Sequence, residues 1–150
     1  MLKITRLADY AVLILCCFNA NTRRNLSAPK IARLTGISIA TVNKILSILL
    51  KSQILKSSRG VYGGYTPSRK LADISIKELI EAIEGPVAIT ECIKSEKNNC
   101  NLFDTCITKK TWGLVNRAVK DTLHNIKIED INNGFLNINN NKTSNERILR

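Results

Sequence analysis

Apolar positions recur at helical spacing in five segments of this chain and at strand spacing in one. The first segment, residues 5–19, carries Leu7, Tyr10, Ala11, Ile14, Cys17 and Phe18 with apolar neighbours nearly all round, the pattern of a buried helix. Thr5 stands where its N-cap belongs. "NANTRRN", residues 19–25, is a polar break. Ser27 followed by Pro29 then signals a helix start. Ile31, Ala32 and Leu34 give that short helix a buried face, and Gly36 ends it as an αL cap. Ser38 caps a second helix, over 38–50, in which Val42, Ile45, Leu46 and Leu49 fall at i, i+3, i+4 and i+7. A short helix, a glycine turn and a longer capped helix form a helix-turn-helix pattern, one that other helical hairpins share.

At "ILKSSRGVYGGYTPSR", residues 54–69, the period changes. Ile54 and Leu55 begin a short strand, and Gly63-Gly64 is expected to supply positive φ for a tight hairpin between aromatic strand residues. A hairpin directly after a helix-turn-helix reads as a wing. Ser75-Ile76-Lys77-Glu78 is a capping box for a further helix with Leu79, Ile80 and Ile83 on its face, ended by Gly85-Pro86. From Ile107 to Ile126 the positions Trp112, Val115, Val119, Leu123 and Ile126 form one stripe, interrupted in propensity by Gly113. Such a helix suits pairing with a second copy. The asparagine-rich end is expected to be disordered. The expected fold is mainly α with a small β wing: a winged helix-turn-helix plus a long C-terminal dimerisation helix. The expected divisions are a DNA-binding domain over 1–85, a ligand-binding loop over 86–106, the dimerisation helix over 107–127 and a disordered tail over 128–150.

Charge sharpens this picture. The net charge is +11, and residues 1–72 hold twelve Lys and Arg against one acid, Asp9, while the remainder sums to zero. A basic half beside a neutral half points to a polyanion, although a solvated basic surface gives the same count. The second helix turns Ser38, Ala40, Thr41, Asn43, Lys44 and Ser47 away from its apolar face. Asn43 suits an adenine edge, and Ala40 or Thr41 a thymine methyl. Lys44 and Lys30, with Lys51, suit phosphates. Arg59, at the wing tip, suits a narrow minor groove. The expected partners are a double-stranded DNA operator and a second copy of the chain, a homodimer reading two half-sites. The longest apolar run, Ala11–Phe18, falls far short of the roughly 18 residues of a membrane span, and no secretory leader pattern is present. The expectation is a cytoplasmic protein, not membrane-bound, whose cysteines stay reduced or bind metal. With one histidine, no nucleotide loop and no paired acids in a Gly-rich setting, the reading is not an enzyme.

Three of the five cysteines lie in "ITECIKSEKNNCNLFDTCITKK", residues 89–110, amid polar neighbours that cannot order themselves by apolar burial. The spacing of Cys92, Cys100 and Cys106 is not that of a zinc knuckle. Soft thiolates gathered in a loop suit an iron–sulfur cluster. Zinc on the same thiolates, and unligated thiols, remain open at this point. Cys16 and Cys17, inside an apolar helix, read as core filler. His124 reads as a surface residue of the last helix.

The segments "ITRLADYAV", "SAPKIARLTGISIATVNKIL", "SSRGVYGGYTPSR" and "ISIKELIEAIEGP", followed by the three-cysteine loop, occur in that order over about residues 1–127. In this they resemble the winged-helix iron–sulfur transcription regulators that include IscR and NsrR. The opening with Asp9-Tyr10-Ala11 looks like the branch that regulates SUF-type iron–sulfur cluster assembly. The resemblance implies that Cys92, Cys100 and Cys106 ligate a 2Fe–2S or 4Fe–4S cluster. Some members add a histidine where this chain has Lys109 and Lys110, so that ligand is missing. Others add a carboxylate from the first helix across the dimer, and Asp9 occupies its position. An acid there also suits the helix dipole or a nearby base. The implied function is an operator-binding regulator switched by its cluster, controlling cluster-assembly genes. The alternatives are a nitric oxide or redox sensing regulator of the same fold, and a cluster-free winged-helix repressor with zinc or no metal.

Overall fold

Thr5 starts the first helix, α1 (Arg6–Cys16), by accepting the Ala8 amide on its hydroxyl at 3.3 Å. The computed structural model describes residues 3–18, 25–94 and 105–133. The Thr5 amide and hydroxyl both donate to Glu84 Oε1, each at 2.9 Å. Glu84 ends a later helix, so one carboxylate ties that end to the start of α1, where the dipole favours a negative charge. Ala8, Ala11, Ile14 and Leu15 are buried. The helix is shorter than its pattern: Cys17 and Phe18 turn tightly, their amides donating to Ile14 and Leu15.

α2 (Ala28–Thr35) has Pro29 in its first turn and ends at Gly36, φ 72°, whose amide reaches the Ala32 carbonyl at 2.9 Å. Ile31 is buried, but Leu34 is exposed, against expectation. The inner face is shared by Ala28, Ile31, Ala32 and Thr35, and Leu34 lies roughly 100° off its centre at 3.6 residues per turn. α3 (Ile39–Lys51) follows at 117° to α2, within the range of a helix-turn-helix. Ser38 caps it by accepting the Thr41 amide. Val42, Ile45, Leu46 and Leu49 are its buried residues, as the spacing requires. At its end Gln53 adopts φ 60°. The Gln53 amide bonds to Leu50 and the Ile54 amide to Leu49, a Schellman closure with a glutamine in the glycine position.

β1 (Leu55–Ser58) and β2 (Gly64–Pro67) pair antiparallel, from Leu55 opposite Pro67 to Ser58 opposite Gly64. Leu26 adds an isolated antiparallel bridge to β2, exchanging two 2.9 Å bonds with Tyr65. The glycines act differently from expectation. The positive φ angles belong to Gly60 and Gly64, not Gly63. Gly63 is needed for space, since a Cβ there would meet the Ser58 carbonyl oxygen at 2.5 Å. Gly64 needs both, as its Cβ would stand 2.8 Å from the Leu26 carbonyl oxygen.

A 3₁₀ turn (Leu71–Asp73) leads to α4 (Ile76–Glu84). Ser75 caps α4 through the Glu78 amide, but the Glu78 carboxylate pairs with Arg69, so only half of the capping box forms. α4 packs on α1, α3 and the last long helix, and this packing is the centre of the core. A short α5 (Glu91–Lys94) precedes α6 (Lys109–Asn125). The chain then turns back: the Ile76 amide donates to Ile126 at 2.9 Å and the Ile128 amide to Ile74 at 3.0 Å. Ile128 is completely buried and residues 128–133 are helical, so this part of the expected tail belongs to the core. The rest of that tail, from 134, lies outside the described residues. Among the described residues no single helix is long and apolar enough to cross a membrane.

Candidate nucleic-acid interface and cysteine loop

Burial of Val42, Ile45, Leu46 and Leu49 turns the other side of α3 outward. Ser38, Ala40, Asn43, Lys44 and Ser47 are exposed there, and Thr41 is half-buried. The Ser38 hydroxyl is occupied twice, by the Thr41 amide at 3.3 Å and the Thr41 hydroxyl at 2.9 Å. These two side chains therefore hold the start of the helix, which leaves Ala40, Asn43, Lys44 and Ser47 open on its outer face. Lys30 on α2 is exposed as expected, and so are Lys51 and Arg59. Ile39, first residue of α3, is also exposed and was missed from the sequence. An apolar side chain in that place suits a thymine methyl.

The wing tip spans residues 59–63, closed by the Gly63 amide on the Gly60 carbonyl at 2.9 Å. Asn25 pins it from outside, donating its amide to Ser58 Oγ at 2.9 Å and to the Tyr62 carbonyl at 3.0 Å. Sequence reasoning placed Tyr62 in a strand. It stands instead on the tip at 91% exposure, beside Val61 at 96%, so the fixed loop projects an apolar pair next to Arg59.

The cysteines divide by environment. Cys16 and Cys17 are half-buried on α1, and burial pushes the Cys16 thiol up to about 11 and raises Cys17 as well. Cys17 also sits 3.4 Å from the Leu13 carbonyl. Cys106 goes the other way. The Thr108 hydroxyl, 3.3 Å from its sulfur, and the Thr108 and Lys109 amides hold it below the ordinary thiol value. Cys92 lies 3.1 Å from the Thr90 hydroxyl. The two limbs mirror each other, with Thr-x-Cys on the way out and Cys-x-Thr on the way back. None of the four described cysteines forms a disulfide. Soft thiol donors, each beside a threonine hydroxyl, fit an iron–sulfur cluster, and they fit zinc too. Cys100 lies outside the described residues. Among the described residues no three His, Cys, Asp or Glu side chains converge, so Asp9 does not join Cys92 and Cys106 within one chain. Asp9 is exposed in the first turn of α1. His124 is exposed in the last turn of α6, away from the loop.

α6 carries apolar groups on two sides. Val119 and Leu123 pack against the core, while Trp112, Leu114, Val115 and Ile126 are exposed. A groove runs along Val115, Ala118, Val119, Thr122 and Leu123. The one fully buried residue of α6 is polar: Asn116, 4% exposed. Its Oδ1 accepts the Ile89 amide at 3.1 Å and its Nδ2 donates to the Val87 carbonyl at 3.4 Å. A polar residue at i+4 from Trp112 and i−3 from Val119, on the apolar stripe, was the available signal.

A family model described as Rrf2, iron-dependent transcriptional regulator, matches residues 4–134. The chain is similar to protein rrf2 of Nitratidesulfovibrio vulgaris, 27% identical over 131 residues that cover 87% of each chain. It is 26% identical over 133 residues to the HTH-type transcriptional regulator IscR of Klebsiella pneumoniae, covering 88% of this chain and 80% of the relative. Among solved structures it resembles CymR, the global cysteine regulator of B. subtilis, with a TM-score of 0.70 and 25% identity, covering 89% of this chain and 98% of that one.

Proposed function

The chain belongs to the Rrf2 family of iron-dependent transcriptional regulators, and on that premise we propose that an iron–sulfur cluster, held by Cys92, Cys100 and Cys106, switches its affinity for a double-stranded operator. It acts as a cytoplasmic homodimer joined through the exposed apolar side of α6. Its targets are the genes of SUF-type cluster assembly. The observation that carries the reading is one chain that joins an exposed, acid-poor recognition helix to two thiols at either end of the loop entering α6.

On DNA, Asn43, Ala40 and Ser47 read base edges, and Ile39 adds an apolar contact. Lys30 and Lys44 neutralise phosphates without reading sequence. Arg59 enters the minor groove from a tip that Asn25 already holds in place. In the loop, the Thr108 hydroxyl keeps Cys106 toward its thiolate. Asp9 is the proposed fourth donor, offered by one protomer to its partner. When bound, the cluster supplies a redox- and iron-sensitive link among three thiolates. Release of the thiols lets residues 92–106 reorder, and that order–disorder change shifts the relation of the two recognition helices.

The test is an anaerobic absorption spectrum of freshly purified and reconstituted protein, with iron and sulfide assayed on the same sample. Visible charge-transfer bands with matching iron and sulfide are expected. A colourless sample after reconstitution overturns the cluster. The likeness to CymR, the global cysteine regulator of B. subtilis, supports a second reading: a cluster-free regulator, with zinc or no metal, that answers a small metabolite. That same colourless outcome would favour it.

A further inference from the structure

Asn116 is the only fully buried residue of a helix whose apolar stripe supplies several better candidates for burial. Burying an amide is costly unless its polar atoms are paired. Here both are paired, and both partners belong to one segment, the backbone of Val87 and Ile89. An acceptor and a donor on the same side chain are required. Aspartate offers only the acceptor, and leucine, of similar size, offers neither.

The position of this clip matters more than its strength. Ile89 and Asn116 are 27 residues apart and enclose the whole cysteine loop. Cys92 lies three residues beyond Ile89, in α5, which packs on α6. Cys106 lies three residues before Lys109, where α6 begins. Each thiol has a threonine hydroxyl at hydrogen-bond distance on its neck side, Thr90 for Cys92 and Thr108 for Cys106. Without a clip, bringing the limbs together would cost the closure entropy of a long polar loop each time a ligand binds.

We propose that Asn116 is a positioning residue that closes the neck of the cysteine loop, fixing the Cys92 limb against α6 so that Cys92 and Cys106 form a preorganised thiol pair. This deepens the cluster reading above, but the thiol pair can be measured without a cluster. The probe is phenylarsine oxide, which forms two S–As bonds with a nearby pair of thiols and releases one water. It is titrated against the apo full-length chain in a Cys16→Ala, Cys17→Ala, Cys100→Ser background, which leaves Cys92 and Cys106 as the only thiols.

The background protein is expected to bind the arsenical as a pair. Asn116→Leu is expected to weaken that binding about tenfold, because both hydrogen bonds to the Cys92 limb are lost. Asn116→Asp, which keeps the acceptor for the Ile89 amide, is expected to fall between the two. Amide hydrogen exchange at Ile89 should speed up in the same order. If Asn116→Leu does not fold, Asn116→Asp decides the matter alone. Unchanged arsenical affinity in a folded variant, or a background protein that binds no arsenical as a pair, overturns the proposal. A drop in arsenical affinity in the Asn116 variants, together with an unsubstituted chain that reconstitutes no cluster, keeps the neck and removes the cluster.

Discussion

At the scale of single residues, the four described cysteines separate by physical environment more sharply than by sequence. Cys16 and Cys17 lose hydration on α1, so their thiolates are disfavoured. Cys106 gains a hydroxyl donor and two backbone donors that favour its thiolate. Iodoacetamide alkylation of the apo chain should therefore show Cys106 reacting before Cys16 and Cys17, with a rate that rises through an apparent pKa below the ordinary thiol value. Cys16 should stay unreactive until about pH 11. Thr108→Val should move the Cys106 profile back up, as mass spectrometry across a pH series would record. The linkage sign follows for Cys16: its folded pKa lies above the unfolded one, so its contribution to stability is full below pH 9.0 and is lost as pH rises toward about 11. The helix caps at Thr5, Ser38 and Ser75 were legible because capping is a local matter of one side chain and an amide three residues on. Gln53 was not legible, because nothing local marks a glutamine as the residue that takes αL.

At the scale of elements, the wing shows how far pattern carries. The strands and their hairpin follow from the β-forming residues and the glycines. The roles of the glycines follow from what stands opposite them, the Ser58 and Leu26 carbonyls, and those contacts are made only once the sheet exists. Arg59, on this fixed tip, is expected to bring one positive charge into the minor groove. Arg59→Ala should lower affinity for an A·T-rich duplex and reduce the slope of log affinity against log salt by about one, measured by fluorescence anisotropy over a salt series. An unchanged slope would remove Arg59 from the interface. In α6 the stripe was visible, but not which side of it faces the core. Val119 and Leu123 turn inward while Trp112 and Val115 remain outside, a division set by where α4 packs against the helix.

At the scale of the molecule, the C-terminal boundary is where sequence reasoning went furthest astray. An asparagine-rich end suggested a tail from residue 128, yet Ile128 is buried in the core and its amide donates to the Ile74 carbonyl. Ile128→Ala is expected to lower the stability of the whole chain by about 2–4 kcal/mol, read from the midpoint shift in urea unfolding. A shift near zero would return that residue to the tail. The sequence by itself determined the helix-turn-helix, its caps, the placement of a wing, the basic half and the three-cysteine loop. These depend on period, local capping and charge count, which act over a few residues or merely add up along the chain. Only the tertiary structure decided that Asn25 and Leu26 brace the wing, that Ile128 belongs to the core and that Asn116 binds the backbone of Val87 and Ile89. In each of these, a side chain or backbone group meets a partner more than twenty-five residues away, and no local pattern encodes which distant group will arrive.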